Sequence, residues 1–99
     1  MNVRFKERSL ERLEAEVDFH GGYSEPVTKA FRRRMQQIRA AEDEQTFYAL
    51  RSLRFEKLKG SRDQQYSMRL NDQWRLIVEF EAHGPQKTII IIGIEDYHR

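Results

Sequence analysis

"QQYSMRLNDQWRLIVEFE", residues 64–81, alternates apolar and polar residues on either side of a short polar break. In the first segment Tyr66, Met68 and Leu70 share one face, and Gln65, Ser67 and Arg69 the other. In the second, Trp74, Leu76, Val78 and Phe80 oppose Arg75, Glu79 and Glu81. A period of two is the signature of a half-buried strand. If Asn71, Asp72 and Gln73 form the loop, Leu70 faces Trp74, Met68 faces Leu76, Tyr66 faces Val78 and Arg69 faces Arg75. Every apolar residue then meets another, and a slip of one position would turn the whole apolar set to solvent.

The flanking sequence extends this hairpin in both directions. "HGP" (83–85) is a turn, and "KTIIIIGI" (87–94) is apolar on both faces, which predicts an interior strand covered on both sides. "LRFEKLKG" (53–60) is a candidate strand, and "VRF" (3–5) a short first one. Elsewhere the period is helical. "SLERLEAEV" (9–17) places Leu10, Leu13 and Val17 on one side, with Ser9 as the expected N-cap. Residues 18–26 form a loop. Ser24 then caps a helix over 27–42, with Pro26 tolerated in the first turn. Val27, Phe31, Met35 and Ile38 form its apolar stripe. Its other side carries Lys29, Arg32, Arg33 and Arg39, expected to be solvated. Residues 43–52 are expected to make a short helix or turn holding Phe47 and Leu50 inward. The sum is a single α+β domain, 1–99, with N-terminal helices packed on one face of a mainly antiparallel four- to five-stranded sheet.

Composition narrows the function. No cysteine is present, which excludes disulfides, thiolate–zinc sites and thiol catalysis. Three scattered histidines make a metal site improbable, so no cofactor is expected. Nothing approaches the ~18 apolar residues of a membrane span, and no signal core opens the chain, so the expected location is the cytoplasm. Lysine and arginine total 18 against 16 acids, too small an excess to indicate nucleic-acid binding by itself.

Where the cations stand is more informative. The register sets Arg69 beside Arg75 on the face away from the core, and like charges directly opposite each other are unfavourable. Either the two splay into solvent, or Asp72 or Glu79 neutralises one, or an anion belongs between them. Arginine's planar fork suits phosphate. Lys57, Lys59 and Arg62 flank Gly60 as a second basic group, which a plain surface turn would also explain. The chain closes on "GIEDYHR" (93–99), a polar cluster directly after the isoleucine run. Along a continuing strand Asp96 and His98 would share one face, with Tyr97 on the other. Cleavage of RNA through its own 2′-hydroxyl needs no metal. It needs a base for the 2′-OH, an acid for the leaving 5′-oxygen and cations around the phosphate. These residue types could supply all of them.

"FEKLKGSRDQQYSMRLNDQWRLIVEFE" followed by "GIEDYHR" resembles the bacterial HigB toxins of the RelE/ParE superfamily. The shared marks are Leu-x-Gly before a basic turn, a Tyr-Ser-x-Arg strand, Asn-Asp-Gln-Trp-Arg and a closing Asp-Tyr-His, spread over residues 53–98. The resemblance implies a RelE-like fold and a type II toxin–antitoxin toxin that cuts mRNA on the ribosome. It also implies neutralisation by a cognate HigA-like antitoxin with a helix-turn-helix domain. Asp96, Tyr97 and His98 match the family's catalytic triplet, and Arg75 the arginine that contacts the scissile phosphate. Lys57, Lys59 and Arg62 match basic positions facing RNA and the ribosome.

One departure stands out. Some relatives carry a catalytic histidine in the strand before Leu-x-Gly, where this chain reads Arg54-Phe55-Glu56. Glu56 could act as base there, or Arg54 could act electrostatically. His98 is favoured as the acid, Asp96 as the base or as the orienter of His98, and Tyr97 for stacking the base or steadying the phosphate. Two other readings fit the same fold: a ParE-like inhibitor of DNA gyrase that cleaves nothing, and a non-catalytic RNA-binding domain using Arg69 and Arg75.

Overall fold

The computed structural model describes residues 1–97, and the backbone alone of His83. Its five strands are β1 (Asn2–Phe5), β2 (Glu56–Lys57), β3 (Tyr66–Arg69), β4 (Trp74–His83) and β5 (Gln86–Asp96). They lie in the order β1-β5-β4-β3-β2, antiparallel throughout except for β1 beside β5. Three helices, α1 (Arg8–Ala15), α2 (Glu25–Ala40) and α3 (Gln45–Ala49), precede β2. This is the α+β arrangement expected from the sequence.

The β3–β4 register is the one read from residues 64–81: Tyr66 pairs with Val78, Met68 with Leu76 and Arg69 with Arg75. Asn71 closes the loop, its Oδ1 accepting from the backbone N–H of Gln73 at 2.9 Å and of Trp74 at 2.8 Å. This is an Asx-type turn, in which a side chain replaces a backbone acceptor. The core lies between this sheet and the helices. Leu10 and Leu13 of α1, and Phe31, Met35 and Ile38 of α2, pack with Met68, Leu76, Val78, Ile89, Ile91 and Ile94.

Helix α2 begins as its sequence suggests, with the Ser24 hydroxyl accepting from Val27 N–H and Pro26 in the first turn. Arg32 is not the solvated cation expected. Its guanidinium donates to the carbonyls of Leu13, Glu16, Val17 and Phe19. Those carbonyls lie in and just beyond the last turn of α1, where helical partners run out. Helix α1 itself differs from expectation. It starts at Arg8, so Ser9 lies inside it and Glu7 occupies the cap without a side-chain bond. It ends before Val17, which is exposed.

Three further expectations need correction. Leu50 lies at the surface; Phe47 alone of that pair is buried. Residues 53–60 hold only two strand residues, because Arg51–Leu53 form a 3₁₀ turn and Arg54 takes a left-handed conformation, φ 46°. That kink prevents continuous pairing. Strand β5 is interior, yet its isoleucine run is not uniformly enclosed: Ile89 and Ile91 are buried in the core while Ile90 and Ile92 are half-buried on the outer face.

The pairing of β5 accounts for the placement of the residues after the run. Val78 pairs with Ile91 and Ile77 with Gly93, so Ile92 is an extra residue, a β-bulge. Beyond it the alternation is inverted. Ile94 returns to the core opposite Leu76, and Glu95 comes to the outer face opposite Arg75.

Candidate active site

The outer face of the sheet is covered at one end. After β2 the chain turns back through a 3₁₀ turn, Gly60–Arg62, closed by Leu58 N–H donating to the Gln65 carbonyl at 2.9 Å. Gly60 has φ +73°, a conformation that glycine adopts without strain. The flap lies over Ser67 of β3 and Ile77 of β4, both on the outer face yet only 2% exposed. Beneath it is a cleft of about 80 Å³, lined by Leu58, Arg62, Ser67, Arg75, Ile77, Glu95, Asp96 and Tyr97.

Two cations line this cleft, Arg62 and Arg75, and Arg75 is the buried one. It is 7% exposed, and its Nη1 donates to the Asn71 carbonyl at 3.0 Å, tying the guanidinium to the hairpin loop. The Cζ atom sits 4.4 Å from the Tyr97 ring centroid, within cation–π range. The inverted alternation after Ile92 puts Tyr97 on this face. The backbone beyond β5 is held by Tyr97 N–H donating to the Gln73 carbonyl at 2.6 Å.

Burial is the main influence lowering the Arg75 pKa, and Arg69 and Arg54 lower it too, while Tyr97 and Glu56 act in the opposite sense. Arginine nevertheless stays charged at any working pH. Among the described residues no carboxylate forms an ion pair with Arg75. A partly desolvated guanidinium in this state favours an incoming anion, since its attraction is less screened than at an open surface.

The other candidates divide. Asp72 neutralises Arg69 in an ion pair, one of the outcomes left open by the sequence. Arg54 and Glu56 also act electrostatically on Arg75, Arg54 lowering its pKa and Glu56 raising it. Glu56 pairs with Ser67 and therefore shares the outer face. Lys57 pairs with Tyr66, so alternation puts it on the opposite, helix-bearing side. Lys59 is exposed, immediately before the flap. Arg62 is committed to a bidentate pair with Glu95, at 3.0 and 2.7 Å, and its Nε donates to Gln65 Oε1 at 2.9 Å. Asp96 pairs with Trp74 in the sheet, and its Oδ2 accepts from Gln73 Nε2 at 3.1 Å. His98 lies outside the described residues.

Two residues of this cleft escaped the sequence reading. Glu95 faces Arg75 only because of the bulge, and plain alternation from Ile89 would have turned it inward. Ser67 was visible on the polar face of β3, but nothing in its spacing set it apart. Among the described residues no group of three or more His, Asp or Glu side chains is placed to hold a metal ion. No helix among them is long and apolar enough to cross a membrane.

Comparison with known proteins agrees with this architecture. The YoeB/ParE toxin from Agrobacterium tumefaciens superposes with a TM-score of 0.64 at 15% identity, covering 99% of this chain and 100% of that one. At that identity the likeness shows the fold alone. No curated protein matches the sequence. The family described as the RelE-like toxin of the type II toxin–antitoxin system HigB matches residues 3–98. With that match over nearly its whole length, and the fold to go with it, the chain belongs to the HigB-like toxin family, whose members are the toxin half of a toxin–antitoxin pair.

Proposed function

We propose that this toxin is a ribosome-dependent mRNA endonuclease that stops translation by metal-independent cleavage through the 2′-hydroxyl. The observation carrying the reading is Arg75, buried beneath the flap and stacked on Tyr97 with no carboxylate partner among the described residues. Charge on the phosphate grows as the 2′-oxygen attacks, and a preorganised guanidinium stabilises it without reorganising. Its fork can engage two phosphate oxygens at once.

In this reading Arg75 holds the scissile phosphate, and Tyr97 steadies the guanidinium or stacks on a base. Asp96 or Glu56 takes the 2′-OH proton, and His98, the next residue along the chain, returns one to the 5′-oxygen. Arg54, Arg69, Lys59 and Arg62 supply the positive field along the RNA, with Lys57 at the edge of that surface. The partner that silences the toxin would be a HigA-like antitoxin with a helix-turn-helix domain, and the site of action the ribosome in the cytoplasm.

Expression of the wild type and of a Tyr97→Ala/His98→Ala double variant, followed by mapping of mRNA 5′ ends in cells, tests this. Codon-phased cuts that vanish in the variant are expected. Blocked gyrase supercoiling without any cuts would instead mark a ParE-like inhibitor, and neither effect would mark an RNA-binding module.

A further inference from the structure

The Ser67 hydroxyl is buried and has no hydrogen-bond partner among the described residues. That is unusual. Serine carries one donor and two acceptor sites, and a buried hydroxyl left unpaired is costly to the fold. Its location gives the reason. Ser67 is 2% exposed, lies on the outer face of β3 opposite Ile77, and forms part of the wall of the cleft that holds Arg75 and Tyr97. Because Arg69 pairs with Arg75 and Ser67 with Ile77, Ser67 and Arg75 are diagonal neighbours on one face. Such neighbours stand roughly 7–8 Å apart at the backbone, a span that a small group hydrogen-bonded on both sides can bridge. The cleft, about 80 Å³, exceeds the ~10–15 Å³ that one water needs.

We propose that Ser67 is a phosphate-binding residue: its hydroxyl donates to a non-bridging oxygen of the same phosphodiester that Arg75 holds. The inference rests on the reading of this cleft as the RNA site. It gives the buried hydroxyl, which has no partner among the described residues, one that arrives with the substrate. Glu95 also lines the cleft, and its bidentate pair with Arg62 offsets the carboxylate charge that an incoming phosphate meets.

The test is titration of the full chain with inorganic phosphate, followed through the Nε–Hε resonance of Arg75. Ser67→Ala should weaken phosphate about tenfold, the scale of one hydrogen bond to a charged group. Ser67→Cys, similar in shape but a weak donor, should do the same. Neither should lower the melting temperature, because neither removes a bond that the Ser67 hydroxyl makes among the described residues. Wild-type affinity in both variants overturns the inference, and so does a wild type that binds no phosphate at Arg75. Cleavage of mRNA on ribosomes is scored separately. If wild type and both Ser67 variants cut equally well while Arg75→Ala does not, the nuclease reading stands and the role of Ser67 falls.

Discussion

The guanidinium of Arg75 lies over the ring of Tyr97, 4.4 Å from Cζ to the ring centroid, although the two residues belong to different strand ends. The contact joins the hairpin loop to the carboxy-terminal segment. If the ring face matters more than the hydroxyl, Tyr97→Phe should keep most cleavage activity and Tyr97→Ala should lose about tenfold or more. A cation–π contact of ~0.5–2 kcal/mol, together with lost positioning, gives that scale. Rates on programmed ribosomes check it. Equal, severe losses in both variants would point to the hydroxyl as a proton donor.

Arg62 and Glu95 form a second relationship across the same cleft. Both side chains are more than 40% exposed, so the pair contributes at most ~1 kcal/mol despite its two bonds. It can therefore open at little cost. Glu95→Gln should leave the melting temperature within about 8 °C of wild type, as ~1 kcal/mol implies for a domain of this size. The same change removes a carboxylate facing Arg75, and should tighten phosphate binding severalfold. Thermal melts and the phosphate titration measure both effects.

The bulge at Ile92 decides which terminal side chains meet Arg75. Deleting Ile92 would remove the extra residue and let Gly93 follow Ile91 in unbroken alternation, with Ile94 still inward and Glu95 still opposite Arg75. The variant is therefore expected to fold, with a loss of ~1–3 kcal/mol for the half-buried Ile92 side chain, read by urea denaturation. Ile92→Val, which keeps the count, should fold with a loss of ~1 kcal/mol or less.

That bulge also marks where the sequence stopped being legible. The β3–β4 register could be read in advance because alternation and apolar pairing agree at every position from Tyr66 to Phe80. The α2 stripe and its Ser24 cap were equally plain. In "IIIIG" all residues are apolar, so no contrast reveals the extra residue, and the faces of Glu95, Asp96 and Tyr97 could not be counted from it. The candidate strand at 53–60 failed for a different reason. Its alternation holds only from Leu53 to Glu56 and breaks at Lys57-Leu58, and the left-handed backbone at Arg54 is a tertiary choice with no glycine to announce it. Arg32 was hidden too, since an arginine serving carbonyls of another helix has the same periodicity as one in solvent.

Arg32 yields its own prediction. Its bonds to carbonyls of Leu13, Glu16, Val17 and Phe19 tie the end of α1 to α2. Arg32→Ala should destabilise the domain by ~1–3 kcal/mol through orphaned, partly buried acceptors. Arg33→Ala, at an exposed neighbouring position, should change stability by ~0.5 kcal/mol or less. Urea denaturation of the two variants side by side gives the comparison.

The most direct measurement is the single-turnover rate of mRNA cleavage on programmed ribosomes for wild type, Arg75→Lys and Arg75→Ala, each shown to be folded. If Arg75 stabilises the charge that builds on the scissile phosphate, Arg75→Ala should be slower by ~10²–10³. Arg75→Lys should recover only part of that, because a point charge replaces the fork. An Arg75→Ala toxin that cuts at the wild-type rate, or a wild type that does not cut at all, would contradict the assignment of this cleft as the catalytic site.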